Sequence, residues 1–524
     1  MAEFMVYAVS APNLTKSQFL GVDALFHGSG YNAALGFYNK IMAAQISHLI
    51  IALVCDTPTV NWGVWEGAVY YIATWLDKQL LFILCVHHTE ELVPKTVSLV
   101  ASQRPTTQPA NILFKRFQNS ILATEEGQSL WDIIQDEDVI YNIHDEEQYV
   151  DTVVETAKDF AVAWAKEARR QGDFPRDTYA NAVDLLLVFS GVMLPSFKIP
   201  HPPPPDKSRF LSDGVNYLIL EVLKDVPEVR VLYSEEEWIE IGKMALFSAY
   251  FYIPWLCLAK NAAMAPANLL TAISHLRSLK EMPEFSLMAE AGLKKRGRHL
   301  QFLSAELSIF ELFNVNTATS SLESRRRLGA ALAVLLPQWT PGNFLINAYH
   351  VPDIDFCTNS ASSFWEEGVP SIASFATKNS FLLPELLGLR PADMNWLQLE
   401  PEAWSTNLNY RKIQEYVTKL EVTNDVAERD VNLLSLKKSK VRTLARLNDS
   451  MIMTSEGRRV RGSRYCRKGS NQAMNQIAVD KLIAVTKLGR SWLGDSSSEE
   501  ETDEEETIES SSEEESDVED IEEL

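Results

Sequence analysis

CDTPTVNWG at residues 55–63, followed by LLFILCVHHTEEL at 80–92, is the stretch that sets the fold class. The residues leading into it, HLIIALVC at 48–55, form a continuous apolar run rich in Ile, Leu and Val, the pattern of a strand covered on both faces. Asp56 then falls just beyond a buried strand, where an α/β nuclease core places a metal-holding carboxylate. The second apolar run ends on Cys85, His87 and His88.

Working outward, residues 4–11 and 19–25 read as short strands, and 31–45 has the apolar spacing of an amphipathic helix. The Asp56 strand follows, then a helix over 64–76, a strand over 80–86 and a helix from Thr89. Strand, helix and strand in that order predict a mostly parallel α/β unit. HPPPP at 201–205 suits neither a helix interior nor a central strand, so it marks a turn or linker. From 206 to about 313 apolar residues recur every three or four positions, an all-helical stretch.

The order CDTP-x-x-N-x-G, helix, strand, C-x-H-H-x-x-E-L resembles a large transposase-like family of animal genomes, related to hAT-type DNA transposases. Typical members carry CDTT-x-x-N-x-G and CRHH-x-x-E-L at these places. LGV at 20–22, GSG at 28–30, LFKRFQ at 113–118, LSAEL at 303–307, FATKNS at 375–380 and NDVAER at 424–429 follow the same order. The resemblance covers residues 5–435 and implies an RNase H-like core interrupted by an all-α insertion. It also implies a DDE set of carboxylates holding two divalent ions, Mg or Mn, one activating the nucleophile and the other stabilising the leaving oxygen. On that pattern Asp56 matches the second acid and Glu428 the third. The first acid belongs on a strand upstream of FMVYAVSA, and Glu3 is the only acid between Met1 and Leu20. A two-metal site short of one carboxylate loses ion affinity and in-line geometry, so the resemblance predicts an incomplete catalyst. Asp23 lies in a different register and reads more simply as a turn residue.

Each candidate also has a plainer reading. Asp56 suits a helix N-cap or a turn, with Asn61 and Gly63 supporting the turn. NDVAERDVNLL is a good helical segment in which Asp425, Glu428 and Arg429 serve as surface charges. Cys85 and His88 have the C-x-x-H spacing that hAT-like transposases carry, with Glu91 completing the motif. That pair supplies two of the four ligands of a structural zinc site, so the expected role is architectural: a buried thiol and a hydrogen-bonded imidazole. Gly28 and Gly30 make a tight turn into a helix rather than a phosphate loop. In LFKRFQ, Lys115 and Arg116 would face phosphate while Phe114 and Phe117 bury; Lys378 in FATKNS would do the same.

The chain has 524 residues, 46% hydrophobic and 10% aromatic, which is globular composition. Its five cysteines are scattered and odd in number, so a reducing compartment is expected. The start, MAEFMVYAV, lacks the pattern of a secretory signal, and the apolar stretch 244–258 is short and contains Pro254, so it reads as a buried helix. The net charge of −23 is concentrated in the tail: residues 495–524 hold seventeen acids and no Lys or Arg. Such a segment repels itself and has little apolar surface to bury, so disorder is expected. Just before it, residues 437–490 hold fourteen Lys or Arg. They are densest at Arg458, Arg459, Arg461, Arg464, Arg467 and Lys468, with Tyr465 between them. That segment reads as a flexible linker or as a nucleic-acid contact and nuclear-import signal. Ser496, Ser497 and Ser498 precede acids by three residues, a pattern acidophilic kinases favour.

The expected architecture is an α/β RNase H-like core with its first part at 1–200, a helical insertion at 206–325 and a return to the core at 330–436. A basic linker at 437–494 and a disordered acidic tail at 495–524 complete it. The expected function is DNA or other nucleic-acid binding in the nucleus by a transposase-derived chain, with no membrane association. The alternatives are a Mg- or Mn-dependent DNA nuclease or transposase fragment, and a protein-interaction scaffold whose acidic tail binds basic partners such as histones. An oligomer fits any of the three.

Overall fold

β1 (Glu3–Val9) and β2 (Gln18–Leu25) pair antiparallel, with a bulge between Tyr7 and Ala8. α1 (Gly30–Ala43) follows, capped by Ser29, whose hydroxyl accepts from the Asn32 N–H at 3.3 Å. β3 (Ala52–Cys55) and β4 (Leu81–Leu84) pair parallel, Ala52 opposite Leu81 and Cys55 opposite Leu84. Parallel strands need a crossover, which α2 (Thr59–Trp62) and α3 (Ala68–Leu76) provide. The expected strand, helix and strand alternation is therefore present, as two separate two-stranded sheets rather than one continuous sheet.

This computed structural model describes residues 3–14, 17–25, 29–56, 58–62, 66–102, 112–135, 152–172, 174, 177–201, 205–258, 262–315, 321–342, 365–366 and 369–423. All belong to one compact unit, Met1–Lys468. Glu428, Asp425 and Arg429, the basic residues Arg458, Arg459, Arg461, Arg464, Arg467 and Lys468, Tyr465 and the acidic tail lie outside the described residues.

Several boundaries differ from the sequence reading. The strand read over 48–55 is present only from Ala52, because Ser47–Leu49 forms a 3₁₀ turn. The helix expected over 64–76 starts at Ala68, because Gly67 is extended (ψ 150) and serves as its N-cap. It ends on Asp77 in the left-handed conformation (φ 45), where the Asp77 and Lys78 N–H groups satisfy the carbonyls of Thr74 and Ala73. The second strand stops at Leu84 rather than at 86, because the Cys85 carbonyl already accepts the Thr89 N–H (3.2 Å) and α4 (Val86–Ser102) begins at once.

From α4 to Val422 the described chain is almost wholly helical, so the protein is mostly helical with few short strands. α5 (Ile112–Phe117), α6 (Glu125–Ile133), α7 (Thr152–Gln171) and α8 (Asp177–Phe189) precede α9 (Pro205–Val222). α9 opens with Pro205 in its first turn, where a missing N–H is harmless. α10 (Glu235–Phe247) starts with a Ser234–Glu237 capping box and runs through a π turn, Ser248–Tyr252, into α11 (Ile253–Leu258). The wider turn absorbs Pro254, which has no N–H to donate. Glu235–Leu258 is long and apolar enough to cross a membrane, yet 89% of its apolar window is buried by the rest of the protein, as the sequence reading of 244–258 expected. α12 (Ala265–Lys280), α13 (Ser286–Gly297), α14 (Leu322–Leu335), α15 (Pro401–Trp404) and α16 (Leu408–Lys419) complete the helices used below.

β4 joins the two hydrophobic clusters. Leu81 and Ile83 belong to the large helical one that reaches Val422, while Leu80 and Phe82 belong to a small one with Ala33, Ala34, Leu53, Val69 and Ile72. Alternate residues of one strand thus feed opposite faces, as a strand covered on both sides requires.

His275 of α12 sits within that helical core, its ring 5.3 Å from Trp255, 5.6 Å from Phe160 and 6.4 Å from Phe251. Burial pushes its pKa down from 6.5 to about 4, so the folded protein holds it neutral while the unfolded chain protonates it. Stability is then fully present above pH 6.5 and is lost as pH falls towards 4. The expected loss is up to about 2–3 kcal/mol, and His275→Phe removes it. Urea unfolding at the two ends of that window, on wild type and variant, checks this: equal pH slopes would refute it.

Candidate functional site

Asp56 lies at the carboxyl end of β3, half-buried, at the mouth of a cavity of about 650 Å³. The chain turns immediately beyond it: the Asn61 side-chain amide donates to the Asp56 carbonyl at 3.2 Å, which supports the turn read from Asn61. Gly30 explains part of the GSG motif. A Cβ there would meet the Val60 carbonyl oxygen at 2.5 Å and the Glu66 carbonyl oxygen at 2.1 Å, so only glycine lets α1 approach the segment after Asp56 this closely. Burial, with the Asp56 carboxylate beside it, pushes the Cys55 thiol well above its ordinary value, so it stays protonated. Asp23 is engaged elsewhere, in a 2.8 Å ion pair with Lys40.

The return of the chain reaches the same place. Glu415, Tyr416, Lys419, Leu420, Glu421 and Thr423, on and just after α16, line the cavity that Asp56 lines. Glu428, the matched third acid, lies five positions beyond Thr423, outside the described residues. Among the described residues no three His, Cys, Asp or Glu side chains come together as a group able to hold a metal ion.

CVHHTEEL divides its labour in a way the sequence did not disclose. Cys85 is fully buried at the end of β4. His87, rather than His88, is the deeply buried imidazole, its Nδ1 3.1 Å from the Tyr179 hydroxyl of α8. His88 is half-buried and Glu91 is buried. Glu90 carries the main electrostatic load: its carboxylate takes two hydrogen bonds, of 2.6 and 2.5 Å, from the Arg296 guanidinium at the end of α13. Both side chains are almost wholly buried. Glu90 and Arg296 were not singled out in the sequence, because GLKKRGRHL at 292–300 reads as a solvated basic helix end.

Gln301 was missed as well. Its amide oxygen accepts the Leu84 N–H at 2.6 Å and its amide nitrogen donates to the Leu84 carbonyl at 2.9 Å, an imitation of a neighbouring strand. Next to it the Val86 N–H donates to the Val422 carbonyl at 2.9 Å. The outer edge of β4 is met in this way at Leu84, and the chain just beyond it at Val86.

The candidate basic contacts are dispersed. In α5, Leu113, Phe114 and Phe117 are buried and Lys115 is exposed, as read from the sequence. Arg116 instead forms a two-pronged pair with Glu237 at 2.7 and 2.9 Å and donates to the Leu232 carbonyl, so its guanidinium ties α5 to α10. Lys378 is exposed beside the buried Phe375, on short 3₁₀ turns rather than a helix. No family model, curated protein or solved structure matches the chain.

Proposed function

We propose that the chain is a nuclear, nucleic-acid-binding protein of hAT-like transposase descent, whose α/β portion is an RNase H-like core without an efficient two-metal centre. The observation that carries this reading is Asp56 at the open carboxyl end of a parallel strand, sharing a cavity with the chain that leads to Glu428. The order of strands and helices from β1 to β4 and the helical stretch after it also support the reading. Asp56 and Glu428 would hold a Mg or Mn ion in a complete site, and a carboxylate pair alone does not set up in-line displacement. Nucleic acid would be met by the basic run Arg458 to Lys468, with Lys115 and Lys378 as exposed contributors.

Binding of a labelled DNA duplex, followed by anisotropy from 50 to 200 mM salt, tests this. About four neutralised phosphates would weaken binding by about 100-fold over that range. Replacing Arg458, Arg459, Arg461 and Arg464 by glutamine should flatten the slope, and Mn²⁺ should produce no cleavage by wild type, Asp56→Ala or Glu428→Ala. A flat slope in wild type would favour the scaffold whose acidic tail takes basic proteins. Cleavage lost in both acid variants would establish a working nuclease.

A further inference from the structure

A second cavity lies in the helical body, away from Asp56. It measures about 20 Å³ and is bounded by the starts of α4 and α12, by Trp255 of α11 and by His299 and Phe302 just beyond α13. Every residue that lines it belongs to the described part of the chain. One water molecule needs about 10–15 Å³ of such space, so the cavity takes one and nothing larger. A small apolar cavity stays dry, but this one is polar on one side: Thr89, Glu90 and Asn268 line it, each more than nine-tenths buried.

The hydrogen bonds already made decide what these groups still require. The Thr89 hydroxyl donates to the Val86 carbonyl at 2.9 Å, so towards a ligand its oxygen can only accept. The Asn268 amide nitrogen donates to the Leu258 carbonyl at 3.3 Å, while its Oδ1 has no partner among the described residues. Each Glu90 oxygen takes one hydrogen bond from Arg296 and keeps a further lone pair. Three acceptors therefore meet around one small space, and a buried acceptor left unmet is costly. A donor is required, and charge decides which. Burial, with Lys295 and Arg296 nearby, lowers the His299 pKa to about 4, so the imidazole there is neutral and offers one N–H and one lone pair. Another cation beside those two would be repelled, and an anion would be repelled by Glu90. A neutral donor of one heavy atom fits.

We infer that this cavity is the binding site of one structural water molecule, which donates to Asn268 Oδ1 and to the Glu90 carboxylate and accepts from the His299 ring. The water ties the start of α4, where CVHHTEEL continues, to the start of α12 and to the turn after α13. It also hydrates one side of the buried Glu90–Arg296 pair, which the protein otherwise holds away from solvent. The inference is independent of the nucleic-acid reading, since none of the basic residues invoked there lines the cavity.

The test uses the full chain, deuterated and carrying protonated valine and leucine methyls, with cross-relaxation from water measured by NMR. Val86 and Leu269 both line the cavity, so their methyls report on its occupant. Cross-peaks from a long-lived water to both are expected in wild type. Thr89→Val keeps the shape of the side chain and removes its hydroxyl, the exchangeable proton that could imitate a water, and both cross-peaks should persist. Asn268→Leu removes one acceptor and fills the space with carbon, and both should disappear while the remaining methyl spectrum stays that of the folded protein. If Asn268→Leu unfolds, wild type and Thr89→Val still decide between water and hydroxyl. Absence of both cross-peaks in wild type, their loss in Thr89→Val, or their survival in a folded Asn268→Leu would each overturn the inference.

Discussion

Glu90→Ala is expected to destabilise the protein by about 3–5 kcal/mol, enough to unfold a typical domain of marginal stability. The reason is the Arg296 guanidinium. It is almost wholly buried between α4 and α13, its two carboxylate contacts come from Glu90 alone, and its Nε has no partner among the described residues. Removing the carboxylate leaves an uncompensated cation away from water, which is far costlier than losing the net worth of the pair. Glu90→Leu with Arg296→Met should therefore recover most of the loss, because both charges go and the apolar contact between the helices stays. Chemical denaturation of the three proteins checks this. If Glu90→Ala costs under about 1 kcal/mol, water reaches the guanidinium and the pair behaves as a surface one.

The second large effect is expected at Trp404. Its ring is fully buried, 5.5 Å from Trp396 and 5.9 Å from Tyr410, and its Nε1 donates to the Leu399 carbonyl at 2.9 Å. Trp404→Ala should cost about 3–5 kcal/mol through the cavity and the lost hydrogen bond. Gly329 of α14 provides an internal control, since a Cβ there would meet the ring at 2.7 and 2.9 Å. Gly329→Ala should be destabilising in wild type. In a Trp404→Phe background, where the second ring is gone, the same change should be neutral or stabilising by up to about 1 kcal/mol, the helix propensity of alanine over glycine. Additive effects in that cycle would show that the two residues do not share the space as described. The cluster also bears on the site. Tyr410 belongs to it and lies in the first turn of α16, whose far end lines the cavity beside Asp56, so a collapse at Trp404 should raise hydrogen exchange at residues 415–423.

Much of the first hundred residues was legible in the sequence. LLFILC read as a strand because residues covered on both faces must all be apolar, and β4 does send alternate side chains into different clusters. HLIIALVC read the same way, but only Ala52–Cys55 is strand; Ser47–Leu49 is a 3₁₀ turn with Leu49 exposed. Tyr31 onwards read as a helix from its spacing, as found; Gly30, read with Gly28 as a tight turn, is instead the first residue of that helix, and Gly28 lies outside the described residues. LFKRF sorted itself into buried rings and an exposed Lys115, but the same pattern could not say that Arg116 would be taken by Glu237, 121 positions away. Boundaries slipped at Gly67 and at Cys85, where one backbone torsion and one carbonyl acceptor decided them. In CVHHTEEL the C-x-x-H spacing directed attention to His88 and Glu91. Identical residue types at adjacent positions differ only in the direction a helix points them, and the deeply buried imidazole and the paired acid proved to be His87 and Glu90.

The sequence by itself determined that Asp56 would stand at the end of a strand and that a helical body would follow, because apolar periodicity is a property of neighbouring residues. Only the tertiary structure decided what meets the far edge of β4. Gln301 pairs with the Leu84 backbone from 217 positions away, and residues of β1 and β3 line one cavity. Pairing between distant backbone groups leaves no mark on local composition, since every residue carries the same N–H and C=O and packing alone selects which of them meet.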